Sequence, residues 1–469
     1  MLSAFKIRSI QTARNIVVCN PYSEQIIDTV PKSTVEDVRE AVALAKRYDF
    51  SLSAWQRCEI LRRFTELLDA EREAVARLIA MESGKTIKDA RAEIACAYRT
   101  FMVCAEEANR INGEVLPLDA VAGAKRGYGG VVREPLGVIV AITPPNFPLD
   151  LVAHKVGPAI AANNPIIVKP SSLTPLTALK MAEMLVRAGL PAQMLQVITG
   201  HSLEIGDELV THPDVAKVTF GGSVEVGRAI GARMDGLRAS YMALGASNPM
   251  IVLADADLDK AVPAAIDGAF GHNGQRCTSL SRLIVEEEIA DRFIERLVDA
   301  TRALVVGDPL SDATDVGPLS TESAAIKIEF RVAGARRRGA KLLHGGEREG
   351  ALYWPAVLDR VHSGDPLVVE ETFGPVAPIV RVRDYDHAIE VTNASGFGLQ
   401  AGLFTNDLAK AMDASRRLEA GAVMINDAAG LRAGHPTFGG AKDSGIGRQC
   451  VRHAVESMTR TKTTVFGSA

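Results

Sequence analysis

Short apolar runs alternate with amphipathic helical segments between residues 136 and 220, and this alternation is the strongest constraint on the fold. Apolar runs of four to seven residues are typical of strands that are buried on both faces of a sheet. The apolar runs are Leu136–Ile142 and Pro165–Val168, and Met194–Ile198 and Val215–Phe220 are two further strand candidates. Helices are predicted at 152–162, 175–188 and 224–230. This strand–helix–strand pattern predicts an α/β protein with a parallel, doubly wound sheet.

More helices and a second α/β unit are predicted on either side of this sheet. Helical periodicity precedes it at 34–48, 55–84 and 86–112. A second α/β series follows it from about 245 to 435, with strands at 249–253, 282–285 and 422–425 and helices at 258–270 and 290–304. Gly127–Pro135 is predicted to be extended, and Thr459–Phe466 to be an extended arm with no partner nearby in the sequence.

Length and charge limit the classes of protein that remain. The 469 residues correspond to about two or three domains. With 53 Lys and Arg against 57 Asp and Glu, the net charge is −4, which gives no basic surface for nucleic acid. No apolar stretch approaches the roughly 18 residues of a membrane span, and the first residues lack the apolar segment of a secretory signal. Six scattered cysteines without a CxxC pair argue against a disulfide framework or a metal site, so we expect a cytoplasmic protein.

The general nucleotide and metal motifs GxxxxGK[ST], GxGxxG after a strand and HExxH are missing from the sequence. Function is therefore inferred first from single residues, of which Cys277 has the most distinctive chemistry. It follows Arg276 in a segment between a predicted helix and a predicted strand. A loop cysteine beside a cation is favoured as a thiolate nucleophile. The alternative interpretation is a small buried residue of the core.

Asn146 lies just after a predicted buried strand, in a segment with three prolines, Pro144, Pro145 and Pro148. Because the prolines fix the backbone, the amide side chain is held in place. A fixed amide can donate a hydrogen bond to a developing oxyanion. A turn asparagine is the alternative.

Three other segments are candidates for binding a nucleotide. Lys169–Ser172 follows a buried strand at its carboxyl end, where open α/β sheets bind nucleotides. Phe220–Ser223 ends a strand and begins a helix, whose N-terminus suits a pyrophosphate. Glu370–Pro375 combines a carboxylate, an aromatic ring and a rigid turn, which could hold a ribose and a flat ring. The alternatives are a solvated strand end, an N-cap without a ligand and a surface turn.

Taken together and in this order, these segments resemble the aldehyde dehydrogenase superfamily along almost the whole chain. The resemblance is carried by 143–148, 169–172, 220–223, 244–245, 275–277, 371–375 and 438–448. It implies a Rossmann-type NAD(P)-binding domain, a catalytic α/β domain and a small β oligomerisation arm. The implied bounds are 1–113 and 135–244 for the NAD(P)-binding domain, 245–435 for the catalytic domain, and 114–134 and 452–469 for the arm. A homodimer or homotetramer is expected.

The resemblance also implies roles for individual residues. Cys277 resembles the nucleophile that attacks the aldehyde, and Asn146 with the Cys277 backbone N–H resembles the oxyanion hole. Lys169 resembles the ribose-binding lysine, Ser223 the phosphate contact, Glu371 the ligand of the nicotinamide ribose, and Phe373 the ring that packs on the nicotinamide. The full predicted cofactor set, for NAD or NADP, is Thr143, Lys169, Ser171, Ser172, Gly206, Phe220, Gly222, Ser223, Leu244, Glu371 and Phe373.

One position departs from the family pattern in a way that affects catalysis. The family's general base is a glutamate in a Glu-Leu-Gly-Gly pattern, whereas this chain has Ala243 there, 34 residues before Cys277. Loss of a positioned base typically costs about 10²–10⁴-fold in rate. Ala243 could mark an engineered variant that traps an intermediate, which we favour, or a natural member that passes its acyl group to a thiol such as coenzyme A. Another carboxylate could also serve as the base. A hypothesis from another class is a catalytically weak cofactor-binding protein.

A second departure concerns the cofactor. Many NAD-preferring members of the family have a glutamate after Lys-Pro-Ser, and this chain has Ser172 there. Without that carboxylate a 2′-phosphate is not repelled, so we expect both NAD and NADP to be used.

The substrate is predicted from cationic and polar residues that the resemblance places near the aldehyde tunnel. These are Arg276, His154, Arg99, Arg432 and Thr278. Guanidinium groups are suited to bidentate binding of phosphonate, phosphate, sulfonate or carboxylate groups, although these arginines could instead be surface or ion-paired residues. The pattern Gly-Gln-Arg-Cys-Thr together with 106–114 resembles phosphonoacetaldehyde and lactaldehyde dehydrogenases most. We therefore expect a short anionic aldehyde, phosphonoacetaldehyde first, with lactaldehyde, glyceraldehyde phosphate, succinic semialdehyde and sulfo-aldehydes as alternatives, along with a coenzyme A-acylating semialdehyde dehydrogenase.

Overall fold

Two large, mainly parallel β-sheets flanked by helices form most of the computed structural model, which describes residues 15–120, 122, 127–430 and 437–466. The helices are α1 Val35–Lys46, α2 Ala54–Ala70, α3 Arg72–Ser83, α4 Ile87–Ala108, α5 Asp150–Ala161, α6 Leu176–Arg187, α7 Ser202–Thr211, α8 Val224–Arg233, α9 Leu258–Phe270, α10 Glu287–Arg302, α11 Glu322–Arg337, α12 Pro366–Val369, α13 Tyr385–Asn393, α14 Leu408–Arg417 and α15 Val451–Ser457.

The strands follow the same chain order. They are β1 Asn15–Cys19, β2 Ile26–Pro31, β3 Glu114–Leu116, β4 Tyr128–Pro135, β5 Val138–Ile142, β6 Ile166–Lys169, β7 Leu195–Val197, β8 Val215–Gly221, β9 Ala239–Ala243, β10 Asn248–Val252, β11 Leu280–Glu286, β12 Lys341–His344, β13 Arg348–Glu349, β14 Leu352–Tyr353, β15 Ala356–Asp359, β16 Val376–Val382, β17 Phe397–Gly398, β18 Gln400–Phe404, β19 Ala422–Ile425, β20 Ala441–Lys442, β21 Gly445–Ile446 and β22 Thr459–Phe466.

The first sheet has the strand order β21-β9-β8-β5-β6-β7 and is parallel except for β21. Every residue of β5 and β6 is buried, because helices cover both faces of this sheet. The order reverses between β5 and β8, and a cleft at such a reversal is where doubly wound sheets bind ligands. The prediction of an α/β fold with a parallel, doubly wound sheet is confirmed.

The second sheet has the order β12-β15-β16-β11-β10-β18-β19, with β12 antiparallel to the rest. Strand β10 begins five residues after β9 ends. The carboxyl edge of the first sheet therefore faces the segments that lead into the amino ends of β10, β11 and β16. This edge-to-edge arrangement brings loops from both sheets to one cleft.

A three-stranded antiparallel sheet, β22-β4-β3, contains both extended segments that the sequence predicts. Thr459–Phe466 pairs with Tyr128–Pro135 over eight residue pairs. Helix α15, which lies inside the predicted arm range, packs instead against α5 and α4. The division of the chain into three domains remains a prediction.

The long helix predicted at 55–84 is wrong in one respect, because the structure has two helices there, α2 and α3. Glu71 lies between them with φ −103° and ψ 14°, outside the helical region. The break has no glycine or proline to mark it, and apolar residues on both sides keep helical spacing. Within the part of the chain that the structure describes, no helix is both long and apolar enough to cross a bilayer.

Candidate active site

A cavity of about 650 Å³ lies between the carboxyl edge of the first sheet and the loops of the second sheet. It brings together most of the residues that the sequence analysis assigned to catalysis and cofactor binding. These are Asn146, Ala243 and Cys277 from the catalytic set, and Thr143, Lys169, Ser171, Ser172, Phe220, Gly222, Ser223, Leu244, Glu371 and Phe373 from the cofactor set. Their roles remain predictions, but their convergence on one cavity is a property of the structure.

Cys277 is presented to the cavity by a loop with an unusual backbone. Helix α9 ends at Phe270, and His272, Asn273 and Gly274 then adopt positive φ values of 57°, 57° and 67°. Such values are costly for residues other than glycine unless the surroundings enforce them. The buried Asn273 side chain does so: its Nδ2 donates to the carbonyls of Gly84 (3.1 Å) and Pro318 (2.8 Å).

The loop is also attached to the segment that carries Asn146. The His272 ring stacks on Phe147 at 4.3 Å, and its Nε2 lies 2.7 Å from the Asn146 carbonyl oxygen. The Asn146 side chain Nδ2 donates to the Gln275 carbonyl at 2.9 Å. An amide nitrogen has two hydrogens, so one donation leaves the second for another acceptor. The amide is therefore fixed beside the nucleophile loop, as an oxyanion donor has to be.

Asn248, at the start of β10, fixes the peptide of Cys277 itself. Its Nδ2 donates to the carbonyl oxygens of Cys277 (2.8 Å) and Ser279 (2.9 Å), and its Oδ1 accepts from the Gln400 N–H at 3.1 Å. Both amide hydrogens are thus used on the nucleophile loop. The sequence analysis missed this residue, because an asparagine at the start of a strand has no catalytic signature.

Glu371 approaches the cavity from the loop before β16. Its Oε1 accepts a hydrogen bond from the Ala246 N–H at 3.1 Å, and burial raises the pKa of the carboxyl. A Cβ at Gly245 would lie 2.6 Å from Glu371 Oε2, so a larger residue there would displace the carboxylate from its present position. The carboxylate and the Leu244–Gly245 segment are consequently fitted to each other.

The groups that line the cavity have the chemistry that binds a dinucleotide. Lys169 is buried at the end of β6, burial lowers its pKa to about 8, and its Nζ donates only a long hydrogen bond, 3.3 Å, to the neighbouring Pro170 carbonyl. Ser223 caps the ten-residue helix α8, whose N-terminus carries the partial positive charge that suits a phosphate. Lys169, Ser223 and Glu371 therefore offer donors and an acceptor for ribose hydroxyls and phosphate, and the residues present fit the group.

Arg276 is not where the sequence analysis expected it. We predicted a guanidinium that points into the aldehyde pocket, but its nitrogens bind the carboxylate and carbonyl of Asp267 and the carbonyl of Gly268 (3.4 Å). These acceptors lie in the last turn of α9, where unpaired carbonyls and the helix dipole attract a cation. A contact with substrate would require the guanidinium to leave this site.

The other predicted substrate and cofactor residues lie outside the cavity lining or outside the described chain. Arg99 is exposed on α4, with its nearest polar contact at the Cys96 sulfur (3.2 Å). His154 lies on the face of α5 that contacts α4, with its Nε2 3.4 Å from Thr100 Oγ1. Thr278 is fully buried. Gly206 lies on α7, one turn after the residues of that helix that line the cavity. Arg432 lies outside the described residues.

Ala243 is the last residue of β9, and the structure shows its immediate surroundings. Its carbonyl accepts from the Gly222 N–H at 3.1 Å, and its side chain lines the cavity. Among the described lining residues the carboxylate is Glu371, which is bound to the Ala246 N–H. A substitute carboxylate close to Cys277 is therefore not found among them.

Lys155 is the cavity residue with the most distinctive chemistry that the sequence analysis missed. It is only 1% exposed, on the inward face of α5. No signal of this chemistry is present in the sequence, because Lys155 follows His154 in a predicted helix just before the apolar stretch Val156–Ala162. His201, Leu203 and Phe438 also line the cavity and were not predicted.

Comparisons with known proteins give the family. A model described as the aldehyde dehydrogenase family matches residues 8–464. The chain is 40% identical over 456 residues to a 3-sulfolactaldehyde dehydrogenase of Priestia aryabhattai, covering 97% of this chain and 95% of the relative. It is 39% identical over 456 residues to a lactaldehyde dehydrogenase of Methanocaldococcus jannaschii, covering 96% of each.

A solved structure agrees with these relatives. The chain is similar to glyceraldehyde-3-phosphate dehydrogenase from Methanocaldococcus jannaschii in complex with NADP, with a TM-score of 0.93, 38% identity, and coverage of 97% of this chain and 100% of that one. The protein belongs to the aldehyde dehydrogenase family. The predicted superfamily, its fold and the closeness to lactaldehyde-type enzymes are confirmed.

The Asn248 contacts generate a testable prediction. Asn248→Asp keeps the size of the side chain but removes the two hydrogens that hold the Cys277 and Ser279 carbonyls, so the loop should lose its fixed position. Each lost hydrogen bond is worth about 1 kcal/mol or more when a buried acceptor is left unpaired. We expect the rate of Cys277 alkylation by iodoacetamide, followed by mass spectrometry, to change at least threefold.

Asn393→Asp is the matched control, because Asn393 Nδ2 holds the Arg417 carbonyl at 2.8 Å and does not line the cavity. It should leave the alkylation rate unchanged. Equal alkylation rates in the Asn248 variant and the unsubstituted chain would contradict the positioning role.

Proposed function

We propose that this chain oxidises a short anionic aldehyde to the corresponding acid with NAD or NADP, through a covalent intermediate on Cys277. The observation that carries the proposal is that Cys277 and Asn146 line the same cavity as Lys169, Ser223 and Glu371. A thiol nucleophile, an amide donor and a set of groups that fits a dinucleotide thus meet at one place.

The chain's own groups account for most of the reaction. Cys277 Sγ attacks the aldehyde carbon, and the oxygen becomes an oxyanion that accepts hydrogen bonds from Asn146 Nδ2 and the Cys277 backbone N–H. A bound dinucleotide supplies the hydride acceptor, which makes the oxidation two-electron. The oxyanion then collapses to a thioester on Cys277 as the C–H bond of the former aldehyde carbon breaks and its hydride leaves. Water attacks that thioester to release the acid and the thiol group.

The proposed cofactor site uses the groups described above. Lys169 holds ribose hydroxyls, the N-terminus of α8 at Ser223 holds phosphate, and Glu371 holds the second ribose with Phe373 beside the nicotinamide. Ser172 Oγ donates to the Gly200 carbonyl at 3.1 Å, and among the described lining residues Glu371 is the carboxylate. A 2′-phosphate near Ser172 would therefore meet no negative side chain, which supports the use of NADP as well as NAD.

The proposed substrate is phosphonoacetaldehyde, with sulfolactaldehyde, glyceraldehyde phosphate, lactaldehyde and succinic semialdehyde as alternatives. Two of the three relatives described above are named for aldehydes that carry a sulfonate or a phosphate. Lys155 and Lys169 line the cavity against the single carboxylate of Glu371 among the described lining residues, so its charge balance favours an anion. We assign the anion contact to Arg432 from the family resemblance.

We further propose that the chain assembles as a homodimer or homotetramer through the β22-β4-β3 sheet. Val115, Tyr128, Val132, Val465 and Phe466 on this sheet are each at least half exposed. Exposed apolar side chains grouped on one small sheet are typical of protein interfaces.

The Ser172 environment predicts a change in cofactor preference. Ser172→Glu places a carboxylate where a 2′-phosphate would lie, so we expect the Kd for NADPH, measured by fluorescence titration, to rise at least tenfold. The Kd for NADH should change less than threefold. Ser172→Gln is the matched control of equal length without charge and should not discriminate between the two. Equal weakening of both cofactors by the glutamate would contradict the assignment.

The proposed anion contact predicts a difference between two arginines. Arg432→Gln should raise KM for phosphonoacetaldehyde at least tenfold while leaving KM for propanal within threefold, because a lost charge-assisted contact is worth about 1.5–3 kcal/mol. Arg276→Gln should not alter this ratio, since its guanidinium binds Asp267 and Gly268. A selective effect at Arg276 and none at Arg432 would reverse the assignment.

Substitution of Ala243 should affect hydrolysis of the thioester much more than acylation of Cys277. Ala243→Glu should raise the steady-state rate about 10²-fold or more, because it supplies a general base for the attacking water. The initial burst of reduced dinucleotide should change much less. Ala243→Gln, which has the same length but cannot take a proton, should leave the steady-state rate low.

The same stopped-flow experiment separates the competing interpretations of Ala243. A stoichiometric burst followed by slow turnover supports an acylating enzyme that lacks its base. Relief of the slow phase by coenzyme A would show that a thiol is the acyl acceptor instead. A chain that binds NADH but gives no burst with any aldehyde of the panel would be a cofactor-binding protein and would refute the proposed function.

A further inference from the structure

A buried amine that makes no hydrogen bond to the described residues belongs to the lining of the active-site cavity. Lys155 is 1% exposed, and its Nζ has no hydrogen-bond partner among the described residues. The amine lines the same cavity as Asn146, Ala243 and Cys277. A buried ammonium without a hydrogen bond is costly, so this position weakens the ammonium form relative to that of an exposed lysine.

Among the described groups around Lys155, the charge that favours its ammonium form is that of Cys277. Burial lowers the pKa of the amine to about 8. From β9, the Tyr241 ring lies 5.5 Å from Nζ. The Tyr241 hydroxyl donates to Gln449 Oε1 at 2.9 Å, so it is directed to another group.

The acidic groups named on the neighbouring elements have contacts other than Lys155. On α4, the Glu93 carboxylate pairs with Lys85 and accepts from the Leu149 and Asp150 N–H groups at 2.8 and 3.0 Å. On α5 itself, Asp150 Oδ1 lies 3.7 Å from His154 Nε2. Glu371, on the far loop of the cavity, accepts from the Ala246 N–H. Lys155 thus carries a basic group in the lining of the cavity that also contains Cys277.

We propose that the Lys155 amine is the general base for hydrolysis of the Cys277 thioester in this chain, in place of the glutamate that Ala243 lacks. This inference rests on the proposed function, because it assigns a proton acceptor to the last step of that reaction. It differs from the three interpretations of Ala243 given above, since the substitute base is an amine and not a carboxylate.

The step balances with the groups present. The neutral amine takes a proton from a water molecule as the water oxygen forms a bond to the thioester carbon. The C–S bond then breaks, its electron pair stays on Cys277 Sγ, and the acid leaves. The products are a carboxylic acid, a thiolate and an ammonium at Lys155. Loss of protons from the ammonium and the acid to solvent restores the starting state, with no oxidant or reductant consumed.

The test compares Lys155→Met, which removes the amine but keeps its volume, with Lys155→Arg, which keeps a cation but cannot act as a base near neutral pH. With a saturating aldehyde in stopped flow, both should keep a stoichiometric burst and lose about 10²-fold or more in the steady-state rate. The steady-state rate of the unsubstituted chain should rise with pH through about 8, because only the deprotonated amine accepts a proton.

Two further measurements separate a base from a merely structural lysine. In an Ala243→Glu background the glutamate supplies the base, so Lys155→Met should cost less than tenfold there, and the pH midpoint of the steady-state rate should fall below 7. Lys217→Met is the matched control: burial also lowers the Lys217 pKa to about 8, but its Nζ donates to the Ser457 carbonyl at 2.9 Å and does not line the cavity. It should leave the steady-state rate per burst site unchanged.

The outcomes against the proposal are distinct from those against the proposed function. An unchanged steady-state rate in Lys155→Met and Lys155→Arg, or an equal loss with and without Glu at 243, would overturn the role of the amine while the burst still supports the dehydrogenase. A flat pH profile between 7 and 9 in the unsubstituted chain would overturn it without any variant. Absence of the burst in the unsubstituted chain would instead refute the proposed function.

Discussion

The cavity depends on one loop whose backbone is held in an unfavourable conformation by buried amides. His272 and Asn273 both have positive φ, and each such residue costs about 1–3 kcal/mol unless its surroundings enforce it. Asn273 holds carbonyls of two distant segments and also accepts from the Gly317 N–H at 2.7 Å. Because this loop joins α9 to β11, the same contacts that stabilise its shape fix Cys277 at the edge where the two sheets meet.

The second constraint is the charge of the side chains that line the cavity, where buried lysines outnumber carboxylates among the described residues. Two lysines, Lys155 and Lys169, are buried along the cavity, and burial lowers the pKa of each to about 8. The described carboxylate of the lining is used by a backbone N–H. A cavity of this kind stabilises ligands that bring negative charge, as both a dinucleotide phosphate and an anionic aldehyde do. The charge balance thus links the proposed cofactor and the proposed substrate through one physical cause.

The sequence predicted those parts of the molecule whose burial is uniform. Strands β5, β6 and β8 are buried along almost their whole length and were predicted from short, mainly apolar runs, and most residues proposed for the cofactor follow strands at their carboxyl ends, where the fold puts ligands. Strands β15, β16 and β18 of the second sheet were missed, because polar residues and prolines interrupt or flank them. The break at Glu71 was missed since its sequence keeps helical spacing.

Side-chain direction was the least predictable property. Arg276 is adjacent to Cys277 in sequence, yet its guanidinium turns to the carbonyls at the end of α9, because a loop with left-handed residues sends neighbouring side chains to different sides. Lys155 shows the reverse case: nothing in its sequence position indicates chemistry, and only the burial of α5 against α4 and the first sheet gives its amine a special environment. Local sequence states which groups are present, whereas packing decides which of them meet.

The absence of a carboxylate at position 243 affects the proton affinity of Lys155 and also removes the usual general base near Cys277. A glutamate in the same cavity would bring a negative charge that favours the ammonium form of Lys155, so the amine would hold its proton and could not act as a base. With Ala243 the charge that favours the ammonium is that of Cys277. Formation of the thioester removes that charge, which lowers the proton affinity of Lys155 further at the moment when the attacking water has to be deprotonated. The acylation of the sulfur therefore prepares the amine for the step that follows it.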